Sequence, residues 1–75
     1  MLPFISEAMI EAVRRHCEDQ LGDQVSEVRS SVRDHGGTAG IMVRTWDGRR
    51  HAVAFTASDS AHEVAYTLQK WIDRR

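Results

Sequence analysis

The side chains with most to offer chemically gather in one short stretch. Arg44, Trp46, Arg49, Arg50 and His51 fall within eight positions, broken only by Thr45 and Asp47-Gly48. Trp and Arg are the residue types that most often dominate binding energy at protein interfaces. The guanidinium forks onto carboxylates and phosphates in a way that an ammonium cannot. An aromatic beside Arg also suits contacts with phosphate and base. These five residues form the candidate partner-binding set.

Elsewhere the reactive side chains are scattered. His16, His35, His51 and His62 lie on different predicted elements, and no Cys or His spacing fits a zinc site. His16 and Cys17 are neighbours on a predicted helix and diverge by about 100°. Cys17 falls on the apolar stripe of that helix, as a core cysteine does. Asp59, His62 and Glu63 share a turn at a helix start, where carboxylates belong for capping reasons alone. Gly36-Gly37-Thr38-Ala39-Gly40 lacks the lysine of a phosphate loop and does not lead into a helix. The sequence therefore predicts no catalytic set, no cofactor and no metal, and a protein that is not an enzyme.

The elements that must position the basic cluster are read from periodicity. A helix is predicted from Phe4 or Ser6 to Leu21. Ile5, Met9, Val13, Cys17 and Leu21 form its stripe, widened by Ala8 and Ala12. Ser6 is its N-cap and Gly22 its left-handed stop. Residues 24–33 fit two patterns. Val28, Ser30 and Val32 alternate as in a strand, while Val25, Val28 and Val32 also fit a helical stripe. Valine and serine without alanine or leucine favour the strand. Residues 34–40 read as a loop.

A hairpin follows, with arms at 41–46 and 49–55 around Asp47-Gly48. A two-residue turn would pair Trp46 with Arg49. A three-residue loop would pair Thr45 with Arg49 and gather Ile41, Val43, Val53 and Phe55 on one face, with Met42, Arg44, Arg50, Ala52 and Ala54 on the other. The second register is preferred, because a one-residue slip flips every side chain and only this one concentrates the large apolar groups. A last helix is predicted from Ser58 or Asp59 to Asp73, with the stripe Ala61, Val64, Ala65, Leu68 and Ile72 and Trp71 beside it. Ser60 with Glu63 fits a capping box, and so does Thr56 with Asp59.

The expected fold class is α+β. A helix, a three-stranded antiparallel sheet and a second helix follow in order, both helices on one face of the sheet, in a single domain over residues 1–75. Such a short chain hides only about 60% of the surface its unfolded form exposes, so the core is thin. Net charge is −1, which gives no overall attraction to nucleic acid or an anionic membrane. The single cysteine permits no internal disulfide, and with no signal-peptide pattern and no apolar run of membrane-spanning length the expected location is cytoplasmic. Lys70 is the only lysine beside nine arginines, which points to a GC-rich genome, most simply of a bacterium or its phage.

The helix–three strands–helix order is similar to that of the double-stranded-RNA-binding domain. That family grips phosphate with lysines at the start of its last helix, where this chain has Ser58-Asp59-Ser60-Ala61-His62-Glu63. Trp46-Asp47-Gly48-Arg49-Arg50, then Phe55-Thr56, then an Ala-bearing helix resembles the arm-type DNA-binding domain of phage integrases, which implies a sheet laid in the major groove. In size and Arg bias the chain also resembles the small accessory proteins of phages and mobile elements, anti-CRISPR proteins among them. The leading expectation is a non-catalytic binding module that regulates or inhibits a protein partner by surface occupation. The alternatives are nucleic-acid binding through the same hairpin and a structural homodimer.

Overall fold

A computed structural model describes residues 4–33 and 37–74. Helix α1 spans Glu7–Leu21, strand β1 Val25–Arg33, β2 Thr38–Thr45, β3 Arg50–Phe55 and helix α2 Ala61–Asp73. A short 3-10 turn, Gly22–Gln24, joins α1 to β1. The sheet is antiparallel in the order β1-β2-β3, so β2 is central and both other strands are edges.

Helix α1 begins as expected. Ser6 accepts a hydrogen bond from the Met9 N–H at 3.1 Å and Glu7 lies in the first turn. Gly22, at φ +54°, ends it by donating its N–H to the Glu18 carbonyl. The buried stripe differs from the expected one. Ile10, Val13, Cys17 and Leu21 are buried and Met9 half-buried, while Ala8 and Ala12 are exposed. Strict steps of four drift around a 3.6-residue helix, so the stripe closes with a step of three at Ile10–Val13. The outward face is laced by Glu11, which accepts from Arg14 Nε at 3.0 Å and Arg15 Nε at 3.2 Å. Helix α2 is capped by Ser60, whose hydroxyl accepts the Glu63 N–H at 3.2 Å, and so starts later than the expected Ser58 or Asp59. Thr56 and Asp59 close the turn before it, the Thr56 N–H donating to Asp59 Oδ2 at 2.8 Å.

The sheet explains the double pattern at 24–33. Val28 faces Val43, Ser30 faces Ile41 and Val32 faces Ala39, all toward the helices. A bulge between Val25 and Glu27 then shifts the parity. Val25 sits opposite Thr45 and is buried, while Glu27 sits opposite Arg44 on the other face. The extra residue, Ser26, donates its hydroxyl to the Arg44 carbonyl at 3.1 Å. Strand β2 begins earlier than expected: Thr38, Ala39 and Gly40 are strand rather than loop, and Ala39 is fully buried. Of the rest of the predicted loop, Gly37 lies in a turn, and Asp34-His35-Gly36 lie outside the described residues.

The hairpin takes the three-residue loop. Arg44 faces Arg50, Val43 faces His51 and Ile41 faces Val53. The Thr45 N–H donates to the Arg49 carbonyl at 2.9 Å, and Gly48 takes φ +90°, in the left-handed region. The inner face is then Ala39, Ile41, Val43, Thr45 and Phe55, all buried. Against it pack Val13, Cys17 and Leu21 of α1 and Val64, Ala65, Leu68 and Ile72 of α2. Burying each large side chain contributes roughly 1.5–3 kcal/mol. Both helices lie on this face, and the opposite face of the sheet is open. Among the described residues no helix is long and apolar enough to cross a membrane.

Candidate partner-binding surface

Alternation along three paired strands decides which side chains share the open face. From β1 come Glu27, Arg29, Ser31 and Arg33; from β2 Thr38, Gly40, Met42 and Arg44; from β3 Arg50, Ala52 and Ala54. Read across the sheet, Ser31, Gly40 and Ala54 form one row and Arg29, Met42 and Ala52 the next. The centre is a shallow floor of small side chains with Met42 half-buried in it. Arginines rim that floor at Arg29, Arg33, Arg44 and Arg50. Glu27 is the one carboxylate on this face among the described residues, and it pairs with Arg29.

Arg44 and Arg50 stand directly opposite each other across the β2–β3 ladder. Like charges in that position are destabilising. Both are exposed and neither makes an ion pair among the described residues, although Glu27, itself paired with Arg29, stands opposite Arg44 across the β1–β2 ladder on this same face. Gly40 has a related role: a Cβ there would stand 3.3 Å from Ser31 Oγ and 3.6 Å from Arg33 Nε. Lacking one, it lets the Arg33 guanidinium lie close over the central strand.

The hairpin tip continues this surface at one end and is tightly built. Asp47 accepts from the Thr45 hydroxyl, from the Arg49 N–H at 3.3 Å and from Arg49 Nε at 3.2 Å. The Thr45 hydroxyl above all, then the Arg49 amide and charge, hold the Asp47 carboxyl below the usual range. Trp46 is 73% exposed, yet its indole N–H donates to the Asp23 carbonyl at 2.7 Å. That bond ties the tip to the 3-10 turn and holds the exposed ring in one orientation. A cleft of about 330 Å³ opens beside it, with Thr45, Trp46, Arg49 and Ile72 among its walls.

The five residues singled out in the sequence therefore divide. Arg44 and Arg50 lie on the open face, while Trp46 sits at the hairpin tip against the 3-10 turn, beside the cleft it shares with Arg49 and Ile72. Arg49 and His51 point to the helix side. The His51 ring stacks on Trp71 of α2, centroids 4.8 Å apart and planes 11° from parallel, and the Arg49 guanidinium carbon lies 4.9 Å from the same ring centre. Those two close the seam between β3 and α2. Sequence reasoning missed Arg29 and Arg33, and it placed Met42 on the open face without counting it in the candidate set. The alternation Arg29-Ser31-Arg33 was the available signal, but its face follows from the pairing of β1 with β2.

The other reactive groups stay apart. Burial pushes the Cys17 thiol up to about 11, so it is protonated at neutral pH. His16 and His62 approach edge-on at 6.3 Å between the helices. Among the described residues no group of three His, Cys, Asp or Glu side chains is placed to hold a metal. No family model, no curated protein and no solved structure matches this chain.

Proposed function

We propose that this protein is a non-catalytic binding module that regulates or inhibits a protein partner by occupying its surface with the open face of the sheet. The observation that carries this reading is the facing pair Arg44 and Arg50, exposed on an uncovered face with no ion-pair partner among the described residues, Glu27 opposite Arg44 being paired with Arg29. A cross-strand like-charge pair opposes folding, and a partner carboxylate between the two forks would turn it into bidentate pairing. Met42 with Ala52 and Ala54 offers an apolar floor, and the oriented Trp46 ring an anchor at the edge. The partner is then a protein presenting carboxylates around a small apolar knob. The accessory-protein character of the sequence agrees with such a role.

The same arginines favour a second reading, nucleic-acid binding across the sheet. Salt separates the two, because phosphate contacts make affinity fall steeply and linearly in log–log terms. The decisive experiment captures partners from a nuclease-treated bacterial lysate with the wild type and with Arg44→Glu/Arg50→Glu. A protein retained by the wild type and lost by the variant, with equal melting temperatures, is the expected result. Retention by both overturns the assignment to this face. Steep salt-dependent binding of a generic duplex replaces the protein reading with the nucleic-acid one.

A further inference from the structure

Strand β1 is an edge whose helix-side row from Val28 to Val32 carries no charge. It pairs with β2 alone, so its outer row of backbone N–H and C=O groups faces no other strand. Natural edges are blunted by charged side chains, proline, bulges or inward-pointing charges. The stretch Glu27–Arg33 carries its charges on the open face alone, at Glu27, Arg29 and Arg33; it has no proline, its bulge lies before Glu27, and its helix-side residues Val28, Ser30 and Val32 are uncharged. Val32 is 56% exposed although it points to the helix side. A cleft of about 250 Å³ runs there between β1 and α1, with Ile10, Ser30 and Val32 in its walls.

The sequence of this edge is complementary to itself. A two-fold axis perpendicular to the sheet keeps each side chain on its own face, so only partners of equal parity can meet. With the axis at Ser30, Glu27 meets Arg33 of the second copy, Val28 meets its Val32, and Arg29 meets its Ser31. Every pair then occurs twice. The exposed Val32 is covered by an apolar neighbour, and each Glu27 gains an arginine beyond its own Arg29. Moving the axis to Arg29 sets Arg29 against itself. Moving it to Ser31 sets Arg29 against Arg33. Moving it to Val28 brings the bulge at Ser26 into the ladder. The other edge, β3, has no such code, since its charged and titratable side chains are Arg50 and His51.

We propose that β1 is a self-association edge. Two copies of the chain pair β1 to β1, antiparallel about Ser30, into one continuous six-stranded sheet. This does not rest on the reading of the open face, although it would place two such faces side by side. The contact is short, so the equilibrium is a weak one, to be followed from about 5 µM to about 1 mM.

Sedimentation equilibrium over that range tests it, with Glu27→Arg, Arg33→Glu, the double swap and an equimolar mixture of the two single variants. The wild type should reach dimer and no further. Each single variant should weaken the dimer more than about tenfold, because a like-charge pair is created twice. The double swap should dimerise as the wild type does. The mixture should form a heterodimer. In it, positions 27 and 33 are both arginine on one chain and both glutamate on the other, so each cross-strand pair is again of opposite charge. Far-ultraviolet circular dichroism checks that all variants are folded. A wild type monomeric throughout overturns the proposal. So do single variants that dimerise normally, and weakened ones that mixing does not rescue.

Discussion

The two faces of the sheet are made from the same three strands, yet they follow different rules. On the helix side, Ile41, Val43 and Phe55 are at most 2% exposed and packed on all sides. On the open side of the same two strands are Gly40, Met42, Arg44, Ala52 and Ala54, of which Arg44, Ala52 and Ala54 are exposed. The inner face spends large side chains on the core. The outer face has small ones in the middle and arginines around them, with Arg44 set against Arg50 at some cost to stability. A face that only needed to be soluble would not require that opposition. The contrast separates residues kept for folding from residues free to serve contact.

The sharpest way to break this contrast uses adjacent positions on β2. Ile41→Ala should lower the unfolding free energy by about 2–5 kcal/mol, since Ile41 is fully buried and the core is thin. Gly40→Ala, one residue away on the other face, should change it by less than about 1 kcal/mol. Its new Cβ would stand 3.3 Å from Ser31 Oγ and 3.6 Å from Arg33 Nε, both on exposed side chains that can shift, and at an ordinary 3.8 Å from the Val53 carbonyl. Urea titration of both variants measures the difference. Comparable losses at the two positions would mean that the open face is as tightly packed as the core.

Much of the fold was legible because periodicity and turn chemistry agreed. The hairpin register followed from one requirement, that Ile41, Val43, Val53 and Phe55 share a face, and the turn at Gly48 obeys it. The caps at Ser6 and Ser60 and the stop at Gly22 were readable for the same local reason. Three features needed the assembled sheet. Thr38-Ala39-Gly40 has loop composition, but as central strand it needs no bulk where Ser31 and Arg33 fold over it. The Val25–Val28 spacing looked helical because a bulge changes parity between them. The cluster of Arg44, Trp46, Arg49, Arg50 and His51 looked like one surface because proximity in sequence does not say which face a strand residue takes. Pairing sent Arg49 and His51 to Trp71 and brought in Arg29 and Arg33 from another strand.

A smaller effect sharpens the contrast from the outer side. Arg44→Ala removes one member of the facing arginine pair, so the melting temperature should stay level or rise, by up to about 0.5 kcal/mol in free-energy terms. The gain should shrink at about 0.5 M salt, because screening already relieves the repulsion between exposed charges. Partner capture should fall at the same time. A variant both less stable and unchanged in capture would show that Arg44 supports the fold instead of the contact.

The smallest effect lies in acid, where the two faces should hardly differ. The depressed carboxyls are Glu11 on α1 and Asp47 in the hairpin loop, neither of them on a strand of the sheet. The Glu11 carboxyl is held at about 2 by hydrogen bonds from Arg14 and Arg15, and Asp47 below its usual value chiefly by the Thr45 hydroxyl. Groups with folded values below their unfolded ones contribute stability above the unfolded value and lose it as pH falls through the folded one. For Glu11 the window is therefore from about 4.5 down to about 2. Melting temperature should fall with pH across that window, and Glu11→Gln/Asp47→Asn should flatten the slope. Because both groups are exposed, about 0.5 M salt should shrink the difference between wild type and variant. An unchanged slope in the double variant would show that neither Glu11 nor Asp47 sets the acid sensitivity.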